Sequence, residues 1–257
     1  MLRKLMKYEF MATGRVFLPM YGALLVMSIV SRLLQGSGLY SPIVISSVLA
    51  GLLIAATGVL TLVLTVQRFR NNILSSEGYL MMTLPASPDI IILSKLFVAA
   101  IWNIVSFVMV VIAISIMASG FAMLSDLVSG IMHLLEQFAY TPLQALAYTV
   151  EFLISTTLTL FSFVLLLYAC MSLSMLVNKR RGLFTFGAFL VMITAMQTLV
   201  AIIFAAGLTP AINSFITGNY AGIFIAARIT SIVLPATLCT VFYCITRYML
   251  KNRLNLQ

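Results

Sequence analysis

Uncharged stretches divide this chain at regular intervals. Residues 33–67, 96–125, 152–178, 183–227 and 229–246 contain no Asp, Glu, Lys or Arg, and 16–31 is a shorter run bracketed by Arg15 and Arg32. The apolar positions within them do not alternate every second residue, as the strands of a membrane barrel would. Inside lipid every backbone amide must find its partner within the structure, so such runs predict helices. About 20 apolar helical residues cross a hydrocarbon layer roughly 30 Å thick. The pattern therefore predicts an all-α polytopic membrane protein with six transmembrane helices, at about 16–35, 43–66, 96–118, 148–177, 183–206 and 227–246.

Composition agrees. The 257 residues are 62% hydrophobic and 8% charged, against about 45–50% and about 25% in soluble domains. So much apolar surface fits a bilayer and not a soluble core. The whole chain reads as a single transmembrane domain, since no connection is long enough for a soluble one. The net charge of +9 does not form a nucleic-acid footprint, because no basic domain exists. It is a topology signal. Thirteen of the fifteen basic residues fall on one side of the six spans: Arg3, Lys4, Lys7, Arg15, Arg68, Arg70, Lys95, Lys179, Arg180, Arg181, Arg247, Lys251 and Arg253. That side is read as cytoplasmic, with both termini on it.

The connections carry their own patterns. In 1–15, Leu2, Leu5, Met6, Phe10 and Thr13 recur near helical spacing beside Arg3, Lys4, Lys7 and Arg15. This predicts an amphipathic helix lying on the cytoplasmic surface before the chain turns into the first span. The outer connection 119–147 repeats Leu124, Leu127, Val128, Ile131, Leu135 and Phe138 in steps of three and four, which predicts an amphipathic segment along the outer leaflet. Connection 207–226 is apolar but broken by Pro210, Gly218 and Gly222, and leaves a re-entrant element and a plain loop both open.

The search for chemistry excludes more than it finds. No glycine is followed by lysine, so no P-loop exists and this chain does not hold ATP that way. His133 is the single histidine and lacks neighbours at metal-ligand spacing. No catalytic group, metal site or cofactor is expected. Cys170, Cys239 and Cys244 lie within spans and read as small packing residues. Mid-span polar residues are mild. Thr57, Thr61 and Thr65 step by four along one face of the second span. With Asn103 and Gln197 they are candidates for a substrate path, or else for hydrogen bonds between helices. Gly51, Ala55 and Gly58 would let the second span pack closely on a neighbour.

Connection 67–95 contains "SSEGYLMMTLPASPDIIILSK". Ser75 or Ser76 can cap a short helix with Glu77 in its first turn. Tyr79, Leu80, Met82 and Leu84 are too apolar for a free loop, and Pro85 and Pro88 end the helix. Such a surface calls for a partner or for the chain's own helices. Glu77-Gly78-Tyr79-Leu80, then Leu84-Pro85-x-Ser87, then Ser94-Lys95 resembles the first cytoplasmic loop of ABC-2 type ABC-transporter permeases. It departs in having Tyr79 and Ser94 where the family commonly has Thr and Gly. The opening "LRKLMKYEFMATGRVFLP" is similar to short six-span permeases of Gram-positive bacteria.

The resemblance implies a permease subunit of an exporter in the bacterial cytoplasmic membrane, not itself an enzyme. It implies a separate ATP-binding subunit that holds ATP and Mg and contacts the N-terminal segment, with Lys4 and Lys7, and the loop, with Glu77, Gly78, Tyr79, Leu80, Leu84 and Pro85. It further implies a second permease, copy or paralogue, and an amphiphilic substrate such as a lipid, peptide antibiotic or drug. Two other readings of the residues stay open: a stand-alone carrier not driven by ATP, and a membrane-anchored peptide-sensing or immunity protein.

Overall fold

A helix pairs all its interior backbone groups within itself, and that is the form these apolar runs take. The structure is a computed structural model and describes residues 2–36, 40–73, 88–118, 125–126, 128–133, 141–177, 181–217 and 221–252. Among the described residues there is no strand. The long helices are α1 (Leu2–Gln35), α2 (Tyr40–Ile73), α3 (Pro88–Ala118), α4 (Pro142–Leu173), α5 (Arg181–Thr217) and α6 (Ala221–Asn252). Each contains a stretch long and apolar enough to cross a membrane. The chain is an all-helical, multi-pass membrane protein.

The chain forms two compact units. Unit 1 is Met1–Arg68 with Ile90–Thr149, and unit 2 is Phe69–Asp89 with Val150–Gln257. In unit 1, α1 pairs with α3 through Glu9–Lys95, Tyr21–Ser106, Arg32–Ala118 and Gln35–Met117. The partners stay 82–86 residues apart, so the two helices run parallel and side by side. Helix α2 is antiparallel to both, with Thr61 on Ser106 and Arg68 on Glu9. From Glu9 to Gln35 the pairing extends about 39 Å at 1.5 Å per residue. That is more than the roughly 30 Å of hydrocarbon.

The expected N-terminal helix at 1–15 is helical and continues without a break into the first apolar run. α1 is one unbroken helix from Leu2 to Gln35, with Pro19 inside it. The reason is packing. Phe10 stacks on Trp102 at 4.7 Å, as does Phe17. Gly14 is buried against the same ring, where a Cβ would come within 3.4 Å of the indole. Part of the apolar stripe read from the sequence thus packs on α3, through Phe10. Arg3, Lys7 and Arg15 point outward.

In unit 2, α4 runs parallel to α6, with Glu151 on Arg228 and the Leu158 carbonyl accepting from Cys239. Phe69 and Tyr168 stack at 4.1 Å, both buried. α4 begins at Pro142, six residues before the span read from the sequence. Thr141 Oγ1 accepts from the Gln144 amide and Gln144 Oε1 from the Thr141 amide. This is a reciprocal cap, and proline fits the first helical position. At its other end α4 stops at Leu173, and Ser174–Leu176 form a 3₁₀ turn before Val177 becomes extended. α5 continues past Pro210 to Thr217, so position 210 does not open a re-entrant break. An unbroken helix leaves only the proline's own missing donor to absorb. Gly51, Ala55 and Gly58 are exposed and the two glycines meet nothing. Among the described residues, the expected close packing of that face is not made.

In the outer connection, 125–126 and 128–133 are helical and exposed. Single cysteines at Ser129 and at Arg180 are expected to label from opposite sides of intact cells, Ser129 from outside. Labelling of both by one impermeant reagent added to one side would contradict the six-span topology.

Candidate functional site

Glu9 is the sole acidic residue before Glu77. One helical turn before Thr13, it is held on the inner face of α1, where the Thr13 hydroxyl donates to its carbonyl at 2.7 Å. Lys95 Nζ donates to Glu9 Oε1 at 2.5 Å, and Arg68 Nη1 lies 3.6 Å from Oε2. The Lys95 side chain is 3% exposed and that of Glu9 is 9% exposed. Among the described residues, two cations meet this carboxylate, Lys95 closed to water and Arg68 partly exposed. Such charges persist only when paired closely, because each loses several kcal/mol of hydration. Lys95, counted above among the basic residues of the cytoplasmic side, is buried.

Arg68 and Lys95 are the two roots of connection 67–95 on the unit 1 side. The unit 2 side has its own anchors. Phe69 stacks on Tyr168 of α4. Asp89, in the first turn of α3, accepts from Tyr243 at 2.6 Å and from Arg247 at 2.9 Å, both on α6. The chain passes from unit 1 to unit 2 at 68/69 and returns at 89/90. Both crossings are thus pinned on each side by a ring stack or an ion pair.

The loop residues Glu77, Gly78, Tyr79, Leu80, Leu84 and Pro85 lie outside the described residues. Lys4 is on the first turn of α1, and Lys7 is exposed there. Thr57, Thr61 and Thr65 are buried on one face of α2, and each hydroxyl donates to the carbonyl four residues back. Thr61 Oγ1 is also 2.9 Å from Ser106 Oγ, which is 2.6 Å from the Tyr21 hydroxyl. Since the Thr61 hydrogen goes to the Thr57 carbonyl, Ser106 donates to Thr61 and Tyr21 to Ser106. This short relay joins α1, α2 and α3 and gives the threonine row a helix-bonding role. Asn103 is half-buried and donates to the Ala99 carbonyl at 2.8 Å. Gln197 is on α5 in unit 2, exposed, and not part of this set.

Sequence reasoning missed Glu9, Arg68 and the Asp89–Arg247 pair. The signal for Glu9 was present: a lone acid in a segment with four bases. Among the described residues no group of three or more His, Cys, Asp or Glu could hold a metal. Comparison with protein-family models, curated proteins and solved structures gives no match.

Proposed function

We propose that this chain is the permease subunit of an ABC-2 type exporter in a bacterial cytoplasmic membrane. It would move an amphiphilic substrate, with ATP and Mg held by a separate subunit. The observation that carries the reading is the anchoring of connection 67–95. A partner that pushes on the segment 74–87 acts on two short roots. One pair of roots is fastened to α1 through Glu9, the other to α4 and α6 through Tyr168, Tyr243 and Arg247. The buried Lys95–Glu9 pair and the buried Phe69–Tyr168 stack resist small displacements, so a load on the loop is passed to the helices instead of being lost in side-chain motion. A mere connector has no need of such fastening.

A second permease is supported by α5. Thr194, Gln197 and Thr198 are exposed on one face of its middle. The threonine hydroxyls donate to their own helix, while the Gln197 amide has no partner among the described residues. An amide facing hydrocarbon without a hydrogen bond is costly, and polar residues of this kind join transmembrane helices.

The test has two parts. The purified chain alone is expected to bind no nucleotide and hydrolyse none. Expressed with the ATP-binding subunit that this reading requires, it is expected to co-purify as a complex that hydrolyses ATP. Tight, saturable ATP binding by this polypeptide alone would sink the reading.

A further inference from the structure

α1 has a side that its neighbours in unit 1 leave open. Tyr8, Met11, Arg15, Leu18, Gly22 and Val26 follow at steps of three and four, so they share one face of the helix. All six are exposed, and Lys7 is exposed beside them, one turn before Met11. The single acid of α1, Glu9, is buried and turned instead to Lys95 and Arg68. Lys7, Tyr8 and Arg15 have no hydrogen-bond or ion-pair partner among the described residues.

The depth of Arg15 decides what this side meets. Arg32 closes the far end of α1, where it donates to Gln35 Oε1 and to the Ala118 carbonyl. From Arg15 to Arg32 the helix rises about 26 Å at 1.5 Å per residue, less than the roughly 30 Å of hydrocarbon. With Arg32 at one edge of that layer, the Arg15 backbone lies a few ångström inside the other edge. A long cationic side chain at such a depth lays its stem on apolar surface and carries its charge out to the headgroups. Helical side chains lean toward the N-terminus, so Arg15 leans over Met11 toward Lys7 and Tyr8.

We propose that this stripe binds a phospholipid with an anionic headgroup, in the leaflet at the N-terminal end of α1. The phosphate sits between Arg15 and Lys7, with the Tyr8 hydroxyl donating to it. The acyl chain runs down Leu18, Gly22 and Val26. A Cβ on Gly22 would meet nothing within 4 Å, so the glycine is an open notch in which the chain can lie. Two cations with no carboxylate on their side favour an acidic lipid, whereas a zwitterionic headgroup would bring its own cation against Lys7. A soluble subunit stops at the headgroups and does not reach the level of Arg15. A second copy about a two-fold axis along the membrane normal would set Arg15 against its own counterpart. The inference rests on the membrane spans and not on the permease reading.

The experiment is native mass spectrometry of the full chain in neutral detergent, titrated with phosphatidylglycerol or phosphatidylcholine of identical acyl chains. Phosphatidylglycerol is expected to bind about tenfold more tightly. Arg15→Gln is expected to weaken it about fivefold, and Lys7→Gln/Arg15→Gln to bring it down to the level of phosphatidylcholine. Both side chains are exposed and unpartnered, so these variants remove no packing and are expected to fold as the unaltered chain does. Arg70→Gln/Lys251→Gln removes the same amount of exposed charge elsewhere and is expected to keep the preference. Equal binding of the two lipids by the unaltered chain overturns the proposal. Loss of the preference in the control variant also overturns it, since net charge alone would then explain the binding. A preference that survives Lys7→Gln/Arg15→Gln overturns it as well. If that variant instead loses association with a second copy or with the ATP-binding subunit, the stripe belongs to that protein.

Discussion

Glu9→Gln is expected to destabilise unit 1 by about 3–5 kcal/mol, the usual result of removing one partner from a buried ion pair. Among the described residues the carboxylate is the acidic partner of both Lys95 and Arg68. Without it, two cations face each other across a neutral amide, and Lys95 is too enclosed to turn to water. Lys95→Met is expected to cost less, because Arg68 still balances Glu9 and methionine fills the stem's place. The double variant Glu9→Gln/Lys95→Met is expected to recover most of the loss, since two neutral side chains of similar volume often replace a buried pair at little cost. Denaturant unfolding in detergent measures all three, and the interaction energy of the cycle isolates the pair. A double variant no better than Glu9→Gln alone would show that the pair is not what holds the first turns of α1.

The proposed coupling loop supplies the second large effect. Glu77→Ala removes a first-turn charge worth about 0.3–1 kcal/mol to a local helix, too little to unfold the membrane part. At a partner surface, truncating a buried charged contact costs about 2–5 kcal/mol, roughly thirtyfold to several thousandfold in affinity. Leu84→Asp sets a charge into the face expected to dock, with an effect of similar size. Both variants are expected to insert and express normally while losing association with the ATPase, or keeping association and losing transport-coupled hydrolysis. Glu136→Ala on the outer connection is the control and is expected to change neither. Full association and transport in the Glu77 and Leu84 variants would reduce the loop to a connector.

The six helices were legible because lipid leaves an apolar run of that length no other fold. Their ends were less so. α1 and α2 continue beyond the uncharged runs because Glu9, Arg68 and Lys95 find one another, and a partner 86 residues away leaves no mark at either position. The start of α4 was written locally in Thr141-Pro142-x-Gln144, but the end of charge-free sequence is a poorer guide than a cap. The row Gly51, Ala55, Gly58 spoke of close approach without saying to what, and no described residue meets its glycines. For the candidate site, the sequence marked the loop and its resemblance, while the anchors at its roots emerged only from packing. Phe69 on Tyr168 and Asp89 on Arg247 join residues far apart in a chain where aromatic and basic residues are otherwise unremarkable.

The chain's single tryptophan is buried in the seam between α1 and α3, stacked on Phe10 and Phe17 and within 6.3 Å of the Tyr21 ring centroid. Its light emission therefore comes from one place, the contact that seats the first turns of α1. Ultraviolet fluorescence of the unaltered protein, at wavelengths that excite indole and not tyrosine, is a native optical gauge of that seating. No label needs to be introduced, and the signal carries no background from α4, α5 or α6.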